Sequence, residues 1–548
     1  MARPAMLPAN RHHGGWLVPG DPMIDASTPR AARAIALAVA ALALGAAAPA
    51  APEPSPRPLS ASDSALHVLQ RFAFGPRAGQ VDEVARQGAL AWLDAQLAAN
   101  GHDDARLAAL EKRTPALALD PDEWARRFVD MRRAARAAKA GEGAPPAEMR
   151  AETREMLDQV RGIAMVRAVT AEDQLREVMA SFWFDHFNVF LDKGADRFLL
   201  PSYVEDVIRP HALGHFVDLL IATARSPAML FYLDNVQSVA PGTPVPPRAN
   251  AGGARRTGIN ENYARELLEL HTLGVDGGYT QQDVIAVARI LTGWSMQPPA
   301  QGGGFVFRPR AHDFGEKVVL GTRFPAGHGE EEGVRLLRLL ARHPATIRHL
   351  CTKLCARFVS DDPPDGCVDA AVAAWKASDG DVRQVVRAIA QSPEFWSAGA
   401  IGGKVKTPLE FVASAVRALD AAPDSGARLA DVVGRLGEPL YRQPSPAGYP
   451  ERQEDWANSG ALLARMNFAI ALASGRAPGA AVDLDAILPV TADPAALVDA
   501  VNARVLGGAM TEHTRSVIVG ELGDVRDPER GRALAVGLAL GSPEFQRQ

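Results

Sequence analysis

Residues 258–280 read GINENYARELLELHTLGVDGGYT, and their spacing decides the fold class. Placed on a helix at about 100° per residue, Tyr263, Ala264, Leu267 and Leu268 share one arc, with His271 in the middle of the stripe. Glu261, Asn262, Arg265, Glu266 and Glu269 fall on the opposite arc. This period predicts an amphipathic helix that ends at a Gly274 C-cap and turns the His271 imidazole inward. A buried imidazole is either a core residue bonded to a carbonyl or a member of a site.

The same period recurs along most of the chain. "TAEDQLREVMASFWFDHFNVFL" predicts an amphipathic helix opened by Thr170 and Asp173, with His186 on the stripe of Leu175, Val178, Met179 and Phe182. "KTPLEFVASAVRAL" carries a helix start at Thr407, Pro408 and Glu410. Thr280 and Asp283 cap a helix that stops at Gly293. Three short helices fill residues 65–100, and a longer one covers about 122–139. Only "FVFRPRAHDFGEKVVLGTRF" reads as strand, two β-rich runs flanking a Gly-containing turn. The expectation is a mainly α chain, one large multi-helix core with one small β-hairpin near 304–324.

Composition agrees. The chain has 548 residues, 47% hydrophobic but only 6% aromatic, rich in the helix formers Ala, Leu, Arg and Glu. A formal net charge of -5 leaves no basic surplus to displace counterions, which excludes nucleic acid as the main partner.

The N-terminus reads as a targeting segment. Arg30 and Arg33 precede "AIALAVAALALGA", too short to span a bilayer comfortably, and "AAAPAAPEP" offers small-residue cleavage sites. Residues 1–51 are expected to be a signal peptide, with 1–22 an over-extended start; an uncleaved anchor is the alternative. Residues 52–63 read as a Pro-rich linker and 64–548 as the helical domain, interrupted by a mobile Pro/Gly loop at 238–258. A periplasmic or secreted protein follows, with no later integral membrane segment. In that oxidising setting Cys367 either bonds back to the helix carrying Cys351 and Cys355, or all three are buried thiols.

Three segments place histidines where chemistry could use them: His186, His271, and His312 beside Asp313. Neutral imidazoles with a carboxylate from Asp185, Glu266, Glu269 or Asp313 suit a divalent transition metal, and suit general acid–base work equally. The expected ligands are His186, His271 and His312; the expected catalytic groups are Glu266, Glu269, Arg265 and Asp313. Against this, a lone histidine on an apolar stripe is usually a core residue, and Glu261–Arg265–Glu269 forms an ordinary surface ladder. His211 and His215 stand at helical spacing without an acidic companion. No GxSxG elbow, Walker loop, HExxH or CxxCH occurs.

The motifs "NENYARELLELHTLGVDGGYTQQDV", "LTGW", "HDFGEKVVLG", "FWFDHF", "KTPLEFV" and "GYPERQEDWANSGALLARMNF" resemble the bacterial domain-of-unknown-function 1800 family across most of residues 65–547. The resemblance implies a large, mostly helical, exported protein but no reaction. It also implies a partner, a second exported protein of the domain-of-unknown-function 1501 family. The chain departs from the family pattern at Asp185, so the resemblance points to His186 rather than to Asp185. Two functions fit: a periplasmic metal-dependent enzyme, hydrolase or oxidoreductase, or a non-catalytic helical scaffold of the envelope.

Overall fold

The structure, a computed structural model, describes residues 59–99, 105–141, 147–243, 258–491 and 493–548. The expected signal segment and most of the expected Pro/Gly loop lie outside these. Helices dominate, as the period of the sequence requires, and the strands are short antiparallel pairs. The first helix, Ala61–Phe72, begins inside the stretch expected as linker, because Ser60 and Asp63 close a reciprocal capping box ahead of it. Among the described residues, no helix is long and apolar enough to cross a membrane.

Two helices hold the middle of the fold. Gln174–His186 buries Leu175, Val178, Met179, Phe182 and Trp183, and the Trp183 indole N–H donates to the Ala212 carbonyl at 2.9 Å. Pro408–Ala418 is buried on every side, and it carries Glu410 and Arg417 into the interior along with its apolar residues. Both helices pack against the long helix Ala147–Thr170. Further along, Ser459–Ala473 lies against Pro528–Gly541, where Gly537 lets the two backbones approach: a Cβ there would stand 3.1 Å from Ile470 Cα.

Several expectations shift in detail. Thr170 is the last residue of the preceding helix, and the next one starts at Gln174. The Gln174 amide is drawn to the Ala168 and Ala171 carbonyls, which fixes the corner between them. The helix of the opening stretch ends at Glu269, short of Gly274. The N–H groups of Leu270 and His271 both turn back to the Glu266 carbonyl, at 2.9 and 3.0 Å, and the second, five-residue bond closes the helix with a wider last turn. His271 therefore lies just past the helix, though still buried.

The expected hairpin region resolves into two pairings. Trp294–Met296 takes Phe305–Phe307 as its antiparallel partner, and Lys317–Val319 pairs with Thr322–Phe324 across Leu320 and Gly321. Both turn residues have positive φ, 48° and 75°, which suits a two-residue turn matched to strand twist. A third small pair joins Ala422–Pro423 to Ala480–Ala481. Cys355 and Cys367 form a disulfide with Cα atoms 6.3 Å apart, and Cys351 stays a buried free thiol.

Candidate active site

The polar interior gathers where the C-terminal end of Gln174–His186 meets the N-terminus of Pro408–Ala418 and the loop 437–451. A cavity of about 70 Å³ opens there, walled by Phe74, Asp185, Glu438, Tyr441 and Tyr449, with room for a few waters or the end group of a larger molecule. A smaller hollow of about 20 Å³ continues it, sharing Asp185, Glu438 and Tyr449 and adding Arg357, Glu410 and Glu451.

Local sequence explains each placement. Asp185 is in the last turn of its helix. Gly448 packs so tightly on it that a Cβ would overlap the Asp185 carbonyl oxygen, and its φ of 74° is one that glycine adopts without strain. The next residue, Tyr449, donates its main-chain N–H to Asp185 Oδ1 at 3.2 Å, and its hydroxyl donates to the Pro439 carbonyl at 2.9 Å. Glu438 is thereby held beside the helix start at Pro408, where the Leu409 N–H donates to its Oε2 at 2.7 Å. Such a helix N-terminus favours a carboxylate.

Burial nevertheless dominates both acids. Desolvation lifts Asp185 to about 7 against the Tyr449 N–H, which favours the charged form. Desolvation lifts Glu438 to about 8, and the nearby charges of Asp185 and Glu410 add to the rise. The third acid behaves oppositely. Burial alone would raise Glu410, but the Arg357 guanidinium, the Gln548 amide and the Thr407 N–H hold it below its ordinary value. Arg357 also reaches Glu451 at 3.4 Å. At the far end of the cavity, Arg167 and Arg209 are committed to Glu111, Glu177 and Glu205.

The expected site residues divide between two other places. His186 and His271 do face one another, with ring centroids 6.1 Å apart, and His349 is the third ring, 6.5 Å from His186. His186 Nε2 lies 3.2 Å from the His271 carbonyl and must donate, so Nδ1 is the acceptor for Lys353 Nζ at 3.0 Å. Burial, reinforced by the Lys353 charge, holds His271 down at about 3 and His349 at about 4. His186 is held well below its usual range by burial and the same charge.

His312 belongs elsewhere. Its ring nitrogens lie 2.8 Å from the Thr292 carbonyl and 3.1 Å from the His328 carbonyl, with Glu332 at 3.5 Å. The three histidines expected as ligands thus do not converge. Among the described residues, no group of three or more His, Cys, Asp or Glu side chains is placed to hold a metal ion.

The expected catalytic residues are also occupied structurally. Asp313 is paired with Arg289 at 2.7 Å and accepts the Gly315 N–H, interactions that pull its carboxyl below the ordinary value. Arg265 spans Glu261 at 3.5 Å and Gln281 at 2.9 Å, and Glu269 accepts the Tyr279 hydroxyl at 3.0 Å. Glu266 is half-buried, and burial together with Glu269 raises its carboxyl. These four do not reach the cavity walls. Sequence reading missed Glu438, Arg357 and Lys353 as site residues, and it treated Glu410 as a cap alone.

A family model described as "Protein of unknown function (DUF1800)" matches residues 67–547. No curated protein and no solved structure matches the chain.

Proposed function

From a chain that belongs to the DUF1800 family, whose description states no activity, we propose an exported acid–base hydrolase that works through Asp185 and Glu438. One observation carries this: two buried carboxyls wall the same cavity and titrate at about 7 and about 8. Near neutral pH one can give a proton while the other takes one, which is what hydrolysis of a polar bond needs. Asp185, the lower of the two, is suited to remove a proton from water. Glu438 is suited to protonate the leaving group.

The cavity sets the substrate's size. It takes an end group, so the bond cleaved lies near the tip of a larger molecule. The arginines at both ends are neutralised by glutamates, which favours an uncharged group. The Cys355–Cys367 bond supports the expected periplasmic or secreted location, since disulfides persist in oxidising compartments.

The test is a panel of glycoside, amide and ester substrates, scored for released reducing ends, amines and acids. An activity lost in both Asp185→Asn and Glu438→Gln supports the reading; an activity that survives in both variants sinks it. A second reading, a helical scaffold working with a protein of the domain-of-unknown-function 1501 family, is favoured by Tyr449, which clamps the two acid-bearing segments together. Co-purification of the two proteins from envelope extracts, with no turnover on the panel, would select it.

A further inference from the structure

The cavity beside Asp185 and Glu438 is kept hollow by small side chains. Ala164 and Ala168, one turn apart on Ala147–Thr170, line it together with Ala180 of Gln174–His186. Packed interiors keep few voids larger than a water, because empty space forfeits contacts, so a hollow held open by three alanines points to an occupant. Val204 and Ile208 extend its wall from Tyr203–Ile208, wound as a π-helix, a wide turn that recurs at functional sites. Tyr441, also in the wall, holds a left-handed φ of 63° and sets its ring T-shaped to Phe184, centroids 4.6 Å apart. A tyrosine stays in that conformation only where its surroundings impose it, a strain that gathers at ligand sites.

Size and polarity fix what enters. The cavity is part-open to solvent, and at roughly 10–15 Å³ for each water-sized group its volume of about 70 Å³ admits about five non-hydrogen atoms. A carbonyl with a short alkyl tail fills that space, and the tail suits the alanines, Val204 and Ile208. We propose that this is an acyl pocket for short-chain esters, acetyl to butyryl, its depth set by Ala164, Ala168 and Ala180. The cleavage, though not the pocket, rests on the hydrolase reading above. The Asp185 carboxylate takes a proton from water as the water oxygen bonds to the acyl carbon. The ester C–O bond breaks, the alkoxide leaves with the Glu438 proton, and solvent carries a proton from Asp185 to Glu438. Ester and water become one acid and one alcohol.

The test separates the pocket from the chemistry. Methyl ketones carry the acyl group without a bond to cleave, so acetone, methyl propyl ketone and methyl heptyl ketone report binding to the full chain by saturation-transfer NMR. The p-nitrophenyl acetate, butyrate and octanoate esters report turnover. Butyrate should exceed octanoate in kcat/KM by about tenfold or more, and methyl propyl ketone should bind best. Ala168→Leu should cut kcat/KM for butyrate about tenfold, spare acetate and abolish methyl propyl ketone binding. If that variant does not fold, Ala164→Val, at a part-exposed position, carries the same comparison. Ketone binding that is absent, or equal in wild type and a folded filled variant, overturns the pocket even where Asp185 and Glu438 hydrolyse another bond. Binding that follows the filling while no ester is cleaved upholds the pocket and sinks the hydrolase reading.

Discussion

The main-chain N–H of Tyr449 lies 3.2 Å from Asp185 Oδ1, so a loop more than 260 residues away in sequence orients the acid at the end of the Gln174–His186 helix. The contact depends on Gly448. Replacing it with Ala adds a Cβ where the Asp185 carbonyl stands and forces an L side chain to φ 74°. Gly448→Ala should cost about 2 kcal/mol or more in urea unfolding. An unchanged midpoint would show that the loop does not grip the helix this way.

The two raised carboxyls make stability pH-dependent in a known direction. Their folded values, about 7 and about 8, lie above those of an unfolded chain, roughly 4. These two groups therefore bind more protons in the folded state, and their contribution to stability is lost as pH rises from about 4 to about 8. The buried His271 and His349, held at about 3 and about 4, act oppositely below about 6.5 and leave the window above it to the carboxyls. Asp185→Asn and Glu438→Gln should each flatten part of this slope and be more stable than wild type above pH 8. Glu205 and Glu410, held below their ordinary values, act oppositely: their contribution is lost as pH falls below about 4. Variants that leave the slope between about pH 6.5 and about 8 unchanged would refute the assignment.

Arg357 is buried between Glu410 and Glu451. Arg357→Met leaves those carboxylates uncompensated and should destabilise by about 3–5 kcal/mol, measured by chemical denaturation. The double variant Arg357→Met with Glu410→Gln should recover part of the loss. No recovery would mean that the arginine acts through its packing alone.

Breaking the Cys355–Cys367 bond, which closes a separation of 12 residues, should cost about 2–3 kcal/mol. Cys367→Ser and reduced wild type should unfold at the same urea concentration. Cys351 should not replace the lost partner, because burial pushes its thiol up to about 12. A reduced protein as stable as the oxidised one would contradict this.

Metal analysis of untagged protein purified without chelators should find no near-stoichiometric transition metal. Both nitrogens of His186 are already engaged, one by Lys353 and one by the His271 carbonyl, which leaves no lone pair for a metal. Bound Zn, Mn, Fe or Cu that is lost in His271→Asn would overturn this expectation.

The helical architecture was legible because periodicity reports burial directly. The stripes of His186 and His271 do face inward, and the boxes at Thr280 and Thr407 form as spaced. Strand pairing was less legible, since Phe305–Phe307 found its partner upstream at Trp294–Met296, outside the run that looked strand-like. The carboxyl pair was hidden for a different reason. Glu438 sits in "RLGEPLY", where no period says which way a side chain points, and Asp185 comes within its reach only through tertiary packing. Histidines drew attention because they are rare. The acids that share the cavity look like any other Asp and Glu until burial sets them apart.

One rod, the helix Pro344–Phe358, carries Arg357 to the carboxyl cavity and His349 and Lys353 to the imidazole cluster, with Cys355 stapled between the two groups. Neither place can shift while the other stays still. A displacement of the helix that moves Arg357 also moves Lys353, one turn away.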